Sequence, residues 1–175
     1  FMMDNIGNTL TTKKIADALT SFGRKIDVKT VERYLQALSE SFILYKVPRY
    51  NLRGRQLLKT LEKYYLVDVA LRRTLLGKRA ADTGHILENV VFLELLRRYQ
   101  RVYVGKMDDT EVDFVALDED GASYFQVAAT TRDENTLNRE LTPLKAISDH
   151  YPKFLRTLDD DPEMDYNGIK KINAL

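Results

Sequence analysis

Three polar residues sit where chemistry would be costly to ignore. Glu88 lies in the run Ile86-Leu87-Glu88-Asn89-Val90-Val91-Phe92-Leu93, which is apolar on most sides of a helix. An ionised carboxylate there needs a cation, a metal or hydrogen-bond donors to offset its desolvation. Asp113 interrupts Val112, Phe114 and Ala116, so strict strand alternation puts it on the opposite face from them. Gln126 shares a face with Tyr124 and Ala128, opposite Phe125, Val127 and Ala129. Other chemistries are excluded by composition. Cysteine is absent and histidine occurs only as His85 and His150, so disulfides and thiolate metal sites are impossible. His85 reads as polar surface.

A second set of residues suits a polyanion. Lys29, Thr30, Arg33 and Tyr34 lie near the start of one helix, and Arg49, Arg53 and Arg55 surround a turn. Residues 1–80 carry sixteen Lys or Arg against seven Asp or Glu, whereas residues 81–175 carry eleven against nineteen. The first half is therefore basic and the second acidic, which predicts two modules that attract each other and have different partners. The basic half is the candidate for nucleic acid.

The elements that must position these residues follow from periodicity. Thr11 or Thr12 can cap a helix to about Phe22 with Ile15, Leu19 and Phe22 on one face, and Gly23 suits its end. Asp27 can cap a second helix in which Val28, Val31, Leu35, Leu38 and Phe42 form a stripe. This is a helix-turn-helix pattern, whose second helix enters the major groove in DNA-binding versions. A strand over residues 42–47, ended by Pro48, and another over 63–67 predict a β-hairpin wing with Arg49, Arg53 and Arg55 at its basic tip. Residues 1–77 thus read as a winged-helix module.

Residues 78–175 read as an α/β domain. A short helix over 69–76 stops at Gly77, and a long one runs from about Asp82 to Tyr99. Strands follow near 101–105, 111–117 and 123–129, then a helix near 133–148 and strands near 153–158 and 169–174. Tyr64, Tyr65, Tyr99, Tyr103 and Tyr124 read as core residues with hydroxyls reaching the surface. The acidic run 159–165 reads as a solvated loop.

The run from Gly84 through Glu88 to Leu95, the segment Glu111-Val112-Asp113-Phe114 and the segment Phe125-Gln126-Val127 together resemble the PD-(D/E)xK nuclease superfamily. More narrowly, with Thr30-Val31-Glu32-Arg33-Tyr34-Leu35 and Lys63-Tyr64-Tyr65-Leu66-Val67-Asp68, the chain looks like the C-terminal region of bacterial and archaeal AAA-type ATP-binding proteins. The resemblance implies a restriction-endonuclease-like α/β fold with a mixed sheet. It also implies an ATPase domain N-terminal to this region; no Gly-rich lysine loop for phosphate occurs in this sequence. The chain starts at Phe1 and ends on Ile172-Asn173-Ala174-Leu175 without a terminator, as expected of a piece of such a protein.

The same resemblance implies Mg²⁺ held by Glu88, Asp113 and Gln126, polarising a phosphodiester and activating water. Gln126 brings an amide oxygen where the family has an acid, and Ala128 stands where it has the catalytic lysine. Arg139, Lys145 and Lys106 are the candidate substitutes for that lysine. The expectation is a nucleic-acid-binding or adaptor module with a degenerate nuclease fold. A Mg²⁺-dependent endonuclease and a protein-interaction domain without a nucleic-acid role are the alternatives. No run reaches the about 18 apolar residues of a membrane span and no signal peptide is evident, so cytoplasmic residence is expected.

Overall fold

A computed structural model describes residues 1–77 and 83–175 of the chain. Among the described residues it is a mixed α/β structure whose eight strands form one mixed sheet. A 3-10 turn, Met2–Asn5, precedes α1 (Thr12–Ser21) and α2 (Val28–Glu40). Strands β1 (Leu44–Asn51) and β2 (Gln56–Leu66) form an antiparallel hairpin, followed by α3 (Ala70–Leu76). Then come α4 (Thr83–Arg98), β3 (Arg101–Met107), β4 (Thr110–Asp118), β5 (Gly121–Val127), α5 (Glu134–Lys145), β6 (Lys153–Thr157), β7 (Met164–Asp165) and β8 (Ile169–Asn173). Asp82, expected to open the long helix, lies outside the described residues. Among the described residues no helix is long and apolar enough to cross a membrane.

Both predicted N-caps form. Thr11 Oγ1 accepts from the Lys14 amide at 3.0 Å, and Asp27 Oδ1 accepts from the Thr30 amide at 2.8 Å. Ile15, Val31 and Leu35 pack with Ile6, Leu10, Leu44, Tyr64 and Leu66. Phe22 and Phe42, expected at the ends of the buried stripes, are 75% and 77% exposed. Phe22 is the C-cap of α1, and Phe42 follows the C-cap of α2. There the chain leaves the helical path and the period no longer aims side chains at the core.

The hairpin differs from the expected wing. β1 does not end at Pro48 but runs on to Asn51, with a register shift between Val47 and Arg49. An irregularity of the ladder is where a residue without an N–H is tolerated. Beyond it, β1 pairs in parallel with β3, Arg49 opposite Val104 and Tyr50 opposite Gly105. The sheet order is β2-β1-β3-β4-β5-β6-β8-β7. One continuous sheet therefore joins residues on both sides of position 77.

Helices cover both faces. On one side α4 packs Phe92 and Leu95 against Val47, Tyr65, Phe114 and Phe125. On the other, α5 packs Leu141 and Leu144 against Val112, Val115, Leu155 and Ile169. Val112 and Phe114 thus belong to different layers, against strict alternation. The register explains this: Tyr103 faces Val115 and Gly105 faces Val112, so β4 carries one extra residue there. Such a bulge resets the side-chain phase.

Candidate functional site

The bulge matters because it carries Asp113. Asp113 falls on the α4 side, where α4 presents Glu88 and the edge strand β2 presents Lys63 and Tyr65. Lys63 Nζ lies 2.8 Å from Glu111 Oε1, 3.2 Å from Glu88 Oε1 and 4.0 Å from Asp113 Oδ1. The Tyr65 hydroxyl donates to Glu88 Oε1 at 2.6 Å, and the Val127 amide donates to Asp113 Oδ2 at 2.8 Å. Lys63 is 5% exposed and Tyr65 fully buried. Tyr65 is therefore a buried donor to a carboxylate, not a ring with its hydroxyl at the surface.

Next to Glu88, the fully buried Asn89 pins the same strand. Its Oδ1 accepts from the Leu66 amide at 2.7 Å, and its Nδ2 donates to the Leu66 carbonyl at 2.9 Å. The amide side chain thus satisfies backbone groups at the end of β2, beyond the points where the Gly7 and Leu10 amides bond to the same strand at Tyr64 and Glu62. Glu88 and Asn89 together fasten the hairpin to α4.

The electrostatics follow from this crowding. Burial alone would pull the Lys63 ammonium down, but Glu88, Asp113 and Glu111 raise it above the usual lysine range. Burial and then the Glu88 charge push Asp113 well above the usual carboxylate range, with Lys63 acting against them. Burial and Glu88 likewise hold the Tyr65 phenol in its neutral, donating form.

Of the expected trio, Glu88 and Asp113 meet at Lys63, whereas the Gln126 side chain is bonded differently. Gln126 is on the α5 side, where its Nε2 donates to Glu140 Oε2 at 3.0 Å. Its Oε1 accepts from the Asp113 amide at 3.4 Å. Ala128 is buried beyond the end of β5. Among the candidate substitutes for its lysine, Arg139 pairs with Glu140 at 2.8 Å instead. Lys106 and Lys145 make no ion pair within the carboxylate group. The cation comes from Lys63, on the strand read as the wing. A divalent ion does not fit this arrangement. An ammonium already stands between Glu88, Glu111 and Asp113, and Gln126 offers its oxygen elsewhere. No group of three or more His, Asp or Glu side chains is placed to hold a metal among the described residues.

Comparison with known proteins adds a boundary. Residues 1–82 match the model of a family described as a domain of unknown function (DUF8612). An uncharacterized protein of Haemophilus influenzae is 41% identical over 172 residues, covering 98% of this chain and 42% of that protein. The uncharacterized protein MJ1544 of Methanocaldococcus jannaschii is 27% identical over 152 residues, covering 85% of this chain and 33% of that protein. The chain therefore spans less than half the length of these relatives. No solved structure matches it. The matched segment includes Lys63 and Tyr65, whereas Glu88, Glu111 and Asp113 lie beyond it. The charge cluster is thus assembled across the edge of the family match.

Gly7 closes the cluster from outside. Its φ is +73°, its amide donates to the Tyr64 carbonyl at 3.1 Å, and a Cβ there would lie 3.1 Å from Glu88 Oε2. Gly7→Ala is expected to cost about 1–3 kcal/mol, combining left-handed backbone strain with pressure on the carboxylate. Urea denaturation checks this, and a loss within error would show that Glu88 is not confined from that side.

The basic residues fare unequally. Arg49 is 9% exposed inside β1, because the strand continues past Pro48 and carries it away from the turn. Arg53 is exposed but paired with Asp108 at 2.7 Å, and Arg55 is exposed. On α2, Thr30 is committed to the Asp27 cap, and its hydroxyl accepts from Arg33 at 3.3 Å. Lys29 and Arg33 are exposed and Tyr34 is 59% exposed. Neither Lys29 nor Arg33 makes an ion pair within 4.0 Å among the described residues. Arg24, Lys25, Thr30 and Tyr34 line a crevice of about 650 Å³ at the α1–α2 turn.

Proposed function

We propose that this region is a nucleic-acid-binding module whose second half is a nuclease-like scaffold that does not cleave. The observation that carries the reading is Lys63. Its ammonium fills the carboxylate cluster that a nuclease would leave open for a metal, so binding without hydrolysis remains. The order α4-β3-β4-β5-α5-β6 and the mixed sheet support a restriction-endonuclease-like arrangement. The capped helix pair followed by a hairpin supports a winged-helix ancestry for the first half, with the wing absorbed into the common sheet.

The contact surface in this proposal is the α1–α2 edge, with Lys29 and Arg33 in the lead and Arg24 and Lys25 behind. The hairpin turn is the poorer surface, since Arg53 is already neutralised by Asp108. The relatives are more than twice as long as this chain, which leaves room for an ATPase domain that would act through this module.

Fluorescence polarisation with a short labelled DNA duplex tests the reading on the full 175-residue chain. Binding should weaken steeply with salt. Lys29→Ala with Arg33→Ala should lower the salt slope by about 2 and the affinity at least about tenfold. Added Mg²⁺ should produce no cleavage. Absent or salt-insensitive binding would remove the nucleic-acid role and favour a protein partner. Mg²⁺-dependent cleavage lost in Asp113→Ala would establish the endonuclease instead.

A further inference from the structure

A second, unrelated cavity lies on the α4 side of the sheet, between the end of α4 and strands β6 and β8. It measures about 390 Å³, within the range of roughly 300–1,000 Å³ typical of small-molecule sites. Val90, Leu95, Tyr99 and Phe154 give it apolar walls, and Arg98 and Arg156 give it two guanidinium groups. From its composition and geometry, we infer that this cavity binds a small organic anion, a carboxylate or phosphate group carried on a compact apolar body.

Arg156 is the cation an incoming anion would meet. It projects from β6 and is half-buried. Its Nη1 donates to the Asn173 carbonyl at 3.2 Å, and its guanidinium carbon stands 5.6 Å from the Phe154 ring centre. Phe154 is in turn held by stacking on Phe125 at 5.1 Å, and Tyr99 meets Phe125 edge-on at 5.8 Å. The guanidinium is therefore fixed in place before any ligand arrives. Yet no carboxylate lies within 4.0 Å of it among the described residues; Glu163 acts only from farther away.

Burial and then the Arg98 charge lower the Arg156 value, which marks a half-buried cation facing another cation. Glu94, at the same rim, pairs with Arg98 but not with Arg156. Its carboxylate is taken by Arg97 through two 2.8 Å bonds and by Arg98, which pull it down to about 2. Among the lining side chains, Arg98 and Arg156 stand against the single carboxylate of Glu94 and leave the lining net positive. An anion would remove the repulsion and accept the free N–H groups of Arg156. The apolar walls require that it carry hydrocarbon or ring surface as well.

Titration calorimetry of the full chain with phenyl phosphate, phenylacetate, inorganic phosphate and neutral benzyl alcohol tests the inference. The first two should saturate a single site, and the neutral compound should not. Arg156→Gln should weaken phenyl phosphate at least tenfold, and Val90→Trp, which fills the apolar wall, should abolish it. Lys29→Ala with Arg33→Ala should leave it unchanged, which separates this site from the DNA-binding edge. Absence of saturable binding by either organic anion would overturn the proposal. So would binding that survives both Arg156→Gln and Val90→Trp, and so would inorganic phosphate binding as tightly as phenyl phosphate. If Arg156→Gln fails to fold, Val90→Trp and Arg98→Gln decide the matter.

Discussion

Lys63→Met is expected to destabilise the protein by about 3–5 kcal/mol at pH 7, because it leaves a buried carboxylate group without its cation. The parent arrangement is self-consistent: one ammonium reaches Glu111, Glu88 and Asp113, and Tyr65 and the Val127 amide occupy further lone pairs. Methionine replaces the stem of the lysine but none of the charge. The penalty should depend on pH in a defined direction. Native Asp113 is raised above its unfolded value of about 3.9, so its contribution is fully present below that pH and lost as pH rises through the native value. Removing Lys63 removes the charge that opposes that rise. The gap between variant and parent should therefore narrow near pH 5 and widen near pH 8. Lys63 itself is raised, so its own contribution persists below the unfolded lysine value of about 10.4 and does not titrate in this window. Adding Glu88→Gln to Lys63→Met should recover part of the loss. Urea denaturation from pH 5 to 8 reads all of this, and a pH-independent loss below about 1 kcal/mol would show that Lys63 does not hold the cluster together.

The need for that lysine was legible in the sequence, but its identity was not. Glu88 on an apolar helix announces that a cation or donors must meet it, and the phase of β5 correctly separates Gln126 from Phe125 and Val127. What supplies the cation is decided 25 residues upstream, on a hairpin whose place is fixed by the pairing of β1 with β3. That pairing is non-local and leaves no period in the sequence. Asp113 was misplaced for a related reason. Alternation assigns it to the face opposite Phe114, and only the one-residue bulge against β3 brings it to the α4 side. Caps are the opposite case. Thr11 and Asp27 bond within three residues of themselves, so local spacing suffices to find them. Asn89 went unread, because its partner is the backbone of Leu66, far along the chain, and a lone amide in an apolar helix does not name its partner.

Asp159→Ala is the second substitution expected to cost about 3–5 kcal/mol at neutral pH, although composition assigns that residue to a solvated acidic loop. The Asp159 residue is 5% exposed. Its Oδ1 accepts from the Thr130 hydroxyl at 2.6 Å. Its Oδ2 accepts from the Thr131 amide at 2.9 Å and hydroxyl at 3.0 Å, and lies 3.1 Å from Lys171 Nζ. These contacts tie the segment after β5 to the ends of β6 and β8. Alanine would leave those donors without their acceptor, and Lys171, itself 5% exposed, with Asp161 alone at 2.9 Å. Burial would raise the Asp159 carboxyl, but the bonds from Thr130, Thr131 and Lys171 hold it well below the usual range. A depressed value means that its contribution is fully present above the unfolded value of about 3.9 and is lost as pH falls through the native one. The cost of Asp159→Ala should therefore be constant from pH 7 to about 5 and shrink in the acid limb below about 4. Asp159→Asn keeps one acceptor oxygen but turns an amide donor toward Lys171, so it should recover only part of the loss. Asp113, raised rather than depressed, acts in the opposite sense over the same acid range. Asp159→Ala should therefore flatten the acid-induced loss of stability, and Asp113→Asn should not. Circular dichroism during urea titration at pH 3–7 separates the two, and an unchanged acid limb in Asp159→Ala would place that carboxylate outside the network that closes the sheet.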